Sequence, residues 1–394
     1  MKIGRLVPPA AAPLGWSDLW HGIAALLAGE GALRRFEDEI RREFDVRHVF
    51  LVSSGTAALA LTFDALASLS PRRKAAIPAF TCFSVPAAVL KAGLRPVPCD
   101  IDDTTFDYDR RRLAETIDED TLCVVAHHLY GVPSAIDEVR AICEPRGIYV
   151  VEDAAQAMGG VLGGRRLGTI GDVGIFSLGR GKNITCGSGG IIVTNSDDIA
   201  AAIRARHRQL PAESIARAVR DLVQIAIMAF FIHPRLYWIP AALPFLKLGE
   251  TIFPKTIEIR RLSAMKAGLL RNWRDRLAEA NRVRAETATY YGRHLGLAFA
   301  AGASHPYLRL PIVAASPAVR ERIRAAAERR GLGVSVGYPT PVDAIPEMRP
   351  LCGGARYPSA RRVAETLVTL PTHHWLTDGD KRAIAELCRE VIAA

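Results

Sequence analysis

Between His48 and Asp153 the sequence alternates short apolar runs with segments of helical periodicity. The apolar runs are 48–53, 74–77, 95–99, 122–126 and 148–152, with helix-like segments at 56–68, 84–92 and 135–143. Two more apolar runs follow at 173–177 and 190–194. Strands that alternate with helices predict a largely parallel or mixed sheet covered by helices. Ligands bind such sheets at the carboxyl ends of the strands, so the residues after each strand are the candidates for function.

One strand end is followed by a lysine among glycines. Lys182 comes five residues after Ser177, between Gly181 and the loop that ends at Gly190. Glycine lets the backbone approach a ligand closely and leaves a lysine amine open to an aldehyde. Taken alone, the run is more typical of a surface loop, because short motif matches are often false. The other strand ends therefore decide between the two interpretations.

Two further strand ends carry polar groups. The first strand runs into Ser53-Ser54-Gly55-Thr56-Ala57, where a helix N-terminus and hydroxyls would form a phosphate cradle. The fifth is followed by Asp153, with Gln156 three residues later. Taken alone, the first turn is better explained by ordinary helix capping through Ser54 or Thr56, and a single acid at Asp153 is also consistent with a helix N-cap.

Taken together and in order, these groups are the set that pyridoxal 5′-phosphate requires. A carboxylate keeps the pyridine nitrogen protonated, hydroxyl and backbone donors hold the phosphate, and a lysine binds the aldehyde. The sequence therefore predicts a pyridoxal-phosphate site around Lys182, Asp153 and Ser177.

Nearly the whole chain resembles the DegT/DnrJ/EryC1/StrS sugar aminotransferases, a family of pyridoxal-phosphate fold type I. The motifs that carry the resemblance are 53–59, Pro78-Ala79-Phe80-Thr81, His128-Leu129-Tyr130-Gly131, 152–156, 177–182, 187–190, Gly337-Tyr338-Pro339 and Thr369-Leu370-Pro371. The resemblance implies an α/β fold, with an aspartate-aminotransferase-like large domain on a mixed, mostly parallel sheet and a smaller α+β C-terminal domain. It also implies a homodimer.

The resemblance assigns a role to each matching residue. Lys182 and Asp153 would be catalytic, the lysine holding the cofactor aldehyde and the aspartate its pyridine nitrogen. Other expected cofactor contacts are Gly55, Thr56, Ala57 and Ser177 at the phosphate, Gln156 near the ring hydroxyl, and Cys82 or Phe83 on the ring face. Tyr338 and Arg180 are the expected substrate contacts.

The implied reaction converts a keto sugar, linked to a nucleotide or a lipid, into an amino sugar, with a donor such as glutamate. A lysine at position 182 favours transamination, because relatives with histidine there dehydrate sugars instead. Two alternatives stay open: an aminotransferase for an aminocyclitol or another non-sugar ketone, and a non-catalytic membrane-associated regulatory protein on the same fold.

Four departures from the family pattern affect the site. Cys82 stands where the ring-stacking aromatic is expected, and Phe83 follows it. Ser188 replaces a glutamate in the Gly-Glu-Gly-Gly loop, and Arg180 replaces a small or uncharged residue, which suggests an anionic substrate group. The family's Asn-Tyr-Arg-Met segment corresponds to 259–262, so its contact to the partner subunit's phosphate is in doubt.

Composition narrows the other classes of function. Seven widely scattered cysteines predict neither a disulfide framework nor a zinc site, and they indicate a reducing cytoplasm. We expect no bound metal and, because the N-terminus has no long apolar run, no secretory signal. The net charge is +10, but the basic residues form no nucleic-acid-binding motif and are not interleaved with aromatic residues. We therefore expect no nucleic-acid partner.

One segment is more apolar than the family pattern predicts. Residues 222–246 are interrupted by His233, Pro234 and Arg235 and are too broken to span a bilayer simply. The flanking basic residues are Arg217, Arg220, Lys247 and Lys255. A shallow hairpin on the inner face of the cell membrane and a buried hairpin at a dimer interface both fit this pattern. We expect domains at 1–215 and 256–394, with 216–255 as an insertion.

Overall fold

The computed structural model describes residues 3–12, 14–246, 248–297 and 305–393, and Lys247 lies outside them. Its strands are β1 (His48–Val52), β2 (Lys74–Pro78), β3 (Arg95–Cys99), β4 (Thr121–His127), β5 (Tyr149–Asp153), β6 (Val161–Leu162), β7 (Arg165–Arg166), β8 (Val173–Ser177), β9 (Gly190–Thr194), β10 (Arg309–Val313), β11 (Ser335–Val336) and β12 (Leu367–Pro371). All seven predicted strands between 48 and 194 are therefore present.

Seven strands form the main sheet in the order β1-β9-β8-β5-β4-β2-β3. The pairings β2–β3, β2–β4, β4–β5 and β5–β8 are parallel, whereas β9 pairs antiparallel with both β8 and β1. Six strands thus point the same way and end at one edge. The sheet is mixed and mostly parallel, as the sequence predicts.

The helices are α1 (Trp16–Ala28), α2 (Glu30–Phe44), α3 (Gly55–Ala67), α4 (Ser84–Lys91), α5 (Arg110–Thr116), α6 (Ile136–Cys143), α7 (Asp197–His207), α8 (Ile215–Phe231), α9 (Trp238–Ala241), α10 (Ala264–Leu269), α11 (Trp273–Leu295), α12 (Pro317–Arg330), α13 (Pro358–Thr366) and α14 (Asp378–Ala393). Those next to the main sheet cover both its faces.

Alternating residues of β1 show how the main sheet divides the core. Val49 and Leu51 pack with α2, α6 and α10, whereas Phe50 and Val52 pack with α3, α4 and α7. Successive side chains of a strand point to opposite faces, so a strand covered on both sides is apolar throughout. This explains why the strands read as continuous apolar runs.

A second, three-stranded sheet follows in the C-terminal part, in the order β10-β12-β11 with antiparallel pairing. Helices α11, α12 and α14 pack on it around Tyr291, Ile323 and Ile384. The N-terminal segment joins this core, because Val7 is buried in it and its N–H donates to Gly331 O at 3.0 Å.

The predicted apolar segment folds as the long helix α8 followed by the short helix α9. Only Ala218 and Ile225 of α8 are buried. Among the described residues, no helix is long and apolar enough to cross a membrane. The segment is anchored at its turn, where Pro234 O accepts the N–H of Leu6 at 2.9 Å and the His233 ring lies 4.7 Å from that of Trp375.

A buried carboxylate fixes the end of β5. Glu152 is fully buried, and its oxygens accept N–H groups of the 168–171 turn at 2.6 to 2.8 Å. His128 Nδ1 accepts the N–H of Ser134, so Nε2 carries the proton that it donates to Glu152 at 2.8 Å. Burial alone would raise the pKa of Glu152, but these hydrogen bonds hold that pKa below its ordinary value. Asp153, the next residue, is thereby fixed in position.

We expect Glu152→Gln to lower the free energy of unfolding by about 3 kcal/mol at pH 7, because glutamine replaces an anionic acceptor with a partial donor. The folded-state pKa lies below the ordinary value of 4.5, so the stabilisation is complete above that pH and is lost as the pH falls through the folded pKa. Urea unfolding at pH 7 and at lower pH should therefore show that the difference in unfolding free energy between wild type and Glu152→Gln becomes smaller in acid. The exposed Glu119→Gln serves as control, and equal stability of Glu152→Gln and wild type at pH 7 would contradict the assignment.

Candidate active site

The candidate site lies at the edge where six strands of the main sheet end. Asp153 ends β5, Ser177 ends β8, and the turn to α3 follows β1. The loop that carries Lys182 leaves the same edge after β8 and returns through Gly190 at the start of β9. The sheet thus brings together the groups that the sequence predicts at successive strand ends.

Ser177 lies against the N-terminus of α3. A Cβ atom on Gly55 would approach Ser177 Cβ to 2.9 Å and Oγ to 3.0 Å, so only glycine leaves room for this contact. Ser54 caps the helix, with its Oγ accepting the N–H of Ala57 at 3.0 Å. The amides of Gly55 and Thr56 have no acceptor within the helix because they are in its first turn. Together with the hydroxyl groups of Ser54 and Ser177, these amides form a cradle suited to a phosphate.

The backbone of Lys182 is held by a buried arginine that sequence reasoning did not identify. Arg284 of α11 donates to Lys182 O at 3.1 Å, Asn183 O at 3.0 Å and Ala11 O at 3.2 Å. Burial lowers the pKa of this guanidinium to about 10. Gly181 has φ +67° and its backbone packs against the N-terminal segment. The loop is therefore fixed from two sides while the lysine side chain extends beyond it.

The surroundings of Lys182 favour a neutral amine. Burial lowers the pKa of Lys182 below its ordinary value, and the positive charge of Arg309 acts in the same direction. Electrostatic interactions with Cys82 and Asp153 raise the pKa of Lys182 and oppose this shift without reversing it. A neutral amine is the nucleophilic form, so this lysine is suited to attack a carbonyl or an aldehyde.

Asp153 is almost fully buried, next to a neutral histidine. Its Oδ1 accepts the N–H of Ala155 at 3.1 Å. His127, at the end of β4, contacts Thr81 Oγ1 at 3.2 Å through Nδ1 and Phe106 O at 3.0 Å through Nε2. Burial lowers the pKa of His127, so the ring is uncharged at neutral pH. His127 therefore forms no ion pair with Asp153, whose carboxyl group is available to a ligand.

Gln156 and Tyr338 are distant in sequence but meet at the site. Gln156 Nε2 donates to Tyr338 Oη at 2.9 Å, and its Oε1 accepts the N–H of Tyr130 at 3.1 Å. The Tyr338 ring is roughly parallel to that of Phe83 at 6.5 Å and that of Tyr130 at 6.3 Å. Tyr130 has φ +56°, an uncommon conformation for a residue of this size. These residues form one aromatic wall of the site.

Cys82 and Phe83 differ in their surroundings. Phe83 is nearly fully buried and its ring packs on Tyr338, whereas Cys82 is half-buried. Cys82 is thus the more exposed member of the pair. Which of the two contacts the cofactor ring stays a prediction.

Ser188, which stands where the family pattern has a glutamate, contacts a buried lysine. Lys266 of α10 is buried, and its Nζ donates to Ser188 Oγ at 3.2 Å, Glu213 Oε1 at 3.3 Å and Asp221 Oδ2 at 2.7 Å. Burial lowers the pKa of Lys266, but the two carboxylates raise it above its ordinary value. Because Asp221 belongs to α8, this ion pair attaches the apolar helix to the lysine loop.

The segment at 259–262 runs beside the end of β1. Ser53 N–H donates to Arg260 O at 2.9 Å, and Arg260 N–H donates to Ser53 Oγ at 3.2 Å. This places the segment next to the phosphate cradle of its own subunit.

Two arginines near the lysine have different environments. Arg180 is exposed on the loop, and its role in substrate binding stays a prediction. Arg309, the first residue of β10, is half-buried and is the arginine whose charge acts on Lys182. Sequence reasoning missed Arg309 because it is 127 positions away from Lys182 and belongs to no recognised motif.

A model of the DegT/DnrJ/EryC1/StrS aminotransferase family matches residues 26–389. The chain is 35% identical over 165 residues to a GDP-perosamine synthase of Vibrio cholerae, covering 42% of this chain and 45% of that relative. It is 27% identical over 374 residues to a UDP-N-acetyl-3-dehydro-alpha-D-glucosamine 3-aminotransferase of Acidithiobacillus ferrooxidans, covering 93% and 90%. The chain thus spans less than half the length of the first relative and nine tenths of the second.

Among solved structures, the putative sugar aminotransferase Spr1654 from Streptococcus pneumoniae, in its PLP form, superposes with a TM-score of 0.80. The sequences are 19% identical, and the match covers 98% of this chain and 99% of the other. This likeness confirms the predicted fold class.

Proposed function

Because the chain belongs to the DegT/DnrJ/EryC1/StrS aminotransferase family, we propose that it transfers an amino group from an amino acid such as glutamate to a keto sugar. Its cofactor is the family's pyridoxal 5′-phosphate. The observation that carries the proposal is the convergence, at one sheet edge, of Lys182 with a lowered pKa, the buried carboxylate of Asp153, and the cradle at Gly55 and Ser177.

The residues present fit the cofactor. The first-turn amides of α3 and the Ser177 hydroxyl would hold its phosphate, and the space above Gly55 is one that an added Cβ would fill. Asp153 would hold the protonated pyridine nitrogen, and Lys182 would bind the aldehyde. When bound, the cofactor supplies the electron sink that stabilises negative charge at the substrate carbon.

Lys182 is the group that moves the proton. Its lowered pKa increases the fraction of neutral amine, which is the form that accepts a proton from the substrate carbon. The ammonium so formed would then hold that proton for return to the bound substrate and cofactor. Arg284 holds the lysine backbone during this exchange, so only the side chain needs to swing.

A sugar acceptor is supported by the names of the two relatives, a GDP-perosamine synthase and a UDP-sugar 3-aminotransferase. The half-buried Tyr338, whose ring stacks on that of Tyr130, offers a flat aromatic face, which suits the apolar face of a sugar ring.

The proposal extends to a membrane surface, where a lipid-linked acceptor would be found. Of the large apolar side chains that are exposed among the described residues, all but two lie on α1, α8 and the stretch after α9. The outer apolar face of α8 and that stretch consists of Ile215, Val219, Val223, Ile227, Phe230, Leu243, Phe245, Leu246, Leu248 and Ile252. Aromatic and aliphatic side chains on one helix face, with arginines nearby, are typical of helices that lie in a membrane interface.

A second group of exposed apolar side chains lies on α1 and consists of Trp16, Trp20, Ile23 and Leu27, the last of which is 93% exposed. Its proposed role is the contact between the two subunits of a homodimer. Tryptophans and leucines aligned along one helix face are suited to pack against a second copy of the chain, since aromatic side chains are enriched in interface cores.

Addition of glutamate to the protein loaded with pyridoxal phosphate should bleach its visible absorption band and release an equal amount of 2-oxoglutarate. Lys182→Ala should slow this reaction by at least about a thousandfold, because it removes both the covalent anchor and the proton carrier. Lys91→Ala, which changes an exposed lysine of α4, should react like wild type. Full conversion by Lys182→Ala would contradict the proposed function.

Flotation with vesicles that contain anionic lipid should recover the protein in the lipid fraction. Replacing Phe230 and Phe245, 55% and 74% exposed, with serine removes apolar area that would enter the interface. We expect the partition constant to fall by about tenfold or more. Leu69→Ser, on an exposed leucine outside the outer apolar face, should float as wild type does. If all variants float equally, or if wild type does not float, the proposed association with a membrane surface is rejected.

A further inference from the structure

Lys266 connects three segments that are far apart in the sequence. Its ammonium group contacts Asp221 of α8 at 2.7 Å, Glu213 just before α8 at 3.3 Å, and the hydroxyl of Ser188 in the lysine loop at 3.2 Å. The lysine is only 3% exposed. An ammonium has three N–H donors, so three acceptors match its hydrogen-bonding capacity. Because one of them is a neutral group of the loop, Lys266 does more than neutralise the two carboxylates.

Helix α8 also packs directly on the backbone of the loop. Gly187 has φ +84°, and a Cβ atom there would approach Ile225 Cγ1 of α8 to 2.5 Å. Ile225 is one of the two buried residues of this helix. Hydrophobic contact is non-directional, whereas hydrogen bonds to a charged group define distances. The contacts of Lys266 therefore fix where the helix and the loop meet.

Ser188 lies at the base of the lysine loop. The N–H of Leu178 donates to Gly189 O at 2.9 Å, which closes the loop beside Ser188. Two residues after Ser188, a Cβ atom on Gly190 would overlap Ser54 O, so the returning chain packs on the turn that begins α3. A restraint on Ser188 therefore acts on both the lysine loop and the phosphate cradle.

The loop thus has one anchor at its tip and another at its base. Arg284 of α11 binds the carbonyl oxygens of Lys182 and Asn183 at the tip, whereas Lys266 of α10 binds Ser188 at the base. With the tip alone restrained, the chain could still rotate about it. A displacement of about 1 Å at a reacting group can lower a rate by about a hundredfold. The second anchor therefore matters for the reaction as well as for the fold.

We propose that Lys266 is a positioning residue for amino transfer: it binds Ser188 and so keeps Lys182 in place relative to the phosphate cradle. The proposal rests on the proposed function, because it assigns a role within that same site. Asp221 and Glu213 raise the pKa of Lys266 above its ordinary value, so the group stays a cation and a donor at neutral pH. The serine hydroxyl accepts its third N–H without adding another negative charge to this buried cluster.

Ser188→Ala tests the link most cleanly, because it removes only the contact to the loop and leaves both ion pairs of Lys266 intact. The pH dependence of Lys182 acetylation, followed by peptide mass spectrometry on the full-length protein without cofactor, reports the pKa of that amine. Burial lowers this pKa, so a displaced loop that exposes the amine raises it. We expect Ser188→Ala to shift the midpoint of acetylation to higher pH by about 0.5 or more.

Cofactor binding and single-turnover kinetics provide a second measurement. Ser188→Ala should weaken the binding of pyridoxal phosphate by about threefold or more and slow the reaction with saturating glutamate by about tenfold. The glutamate concentration for half-maximal rate should stay within about twofold of wild type, because the reacting groups move and no substrate contact is removed. Lys266→Met should have the larger effect on rate, since it also releases α8.

Two control variants lose similar groups elsewhere in the chain. Ser68→Ala removes a hydroxyl hydrogen bond beyond the far end of α3. Lys74→Met removes a lysine that lies beside Asp118 and Asp120, at the start of β2 and so at the opposite edge of the main sheet. Both should keep the midpoint, the cofactor affinity and the rate of wild type.

The assignment is overturned if Ser188→Ala keeps the Lys182 midpoint, the cofactor affinity and the rate of wild type. That result decides even where Lys266→Met is inactive or does not fold, because Lys266 would then serve only the stability of α8. If wild type transfers no amino group but Ser188→Ala still shifts the midpoint and weakens cofactor binding, the proposed function is rejected and the positioning role is retained. The two failures are therefore distinguishable.

Discussion

The direction of the strands is the constraint on which the candidate site depends. Six strands of the main sheet point the same way, so the ends of β1, β5 and β8 meet at one edge. The antiparallel β9 returns the lysine loop to that edge. The buried Glu152, with its three backbone donors, prevents the end of β5 from shifting and so fixes Asp153 relative to Ser177.

The electrostatics of the pocket follow from this geometry. Burial favours the neutral forms of Lys182 and of His127, which pairs with Asp153 in the sheet, and the charge of Arg309 in the second sheet also favours the neutral lysine. A neutral His127 leaves the Asp153 carboxyl group available to a cationic ring nitrogen. The ion pair of Lys266 with Asp221 connects α8 to the loop, which links the outer apolar face to the reaction site.

The strands, the sheet type and the groups at strand ends could be predicted from sequence, because buried strands read as apolar runs and their ends are local features. Lys182, Asp153 and Ser177 are examples, and the fold class is confirmed. Arg284 and Arg309 could not be predicted in the same way. Arg284 contacts a loop 102 residues away, and such pairings depend on how helices and sheets pack rather than on any local pattern. The domain boundaries at 215 and 255 stay predictions.

In the proposed site Lys182 is the residue that holds the cofactor. This can be tested by borohydride reduction of the protein loaded with pyridoxal phosphate, followed by peptide mass spectrometry. We expect one phosphopyridoxyl group per chain, on the peptide that contains Lys182. A label on another lysine, or no label on Lys182 at saturating cofactor, would contradict it.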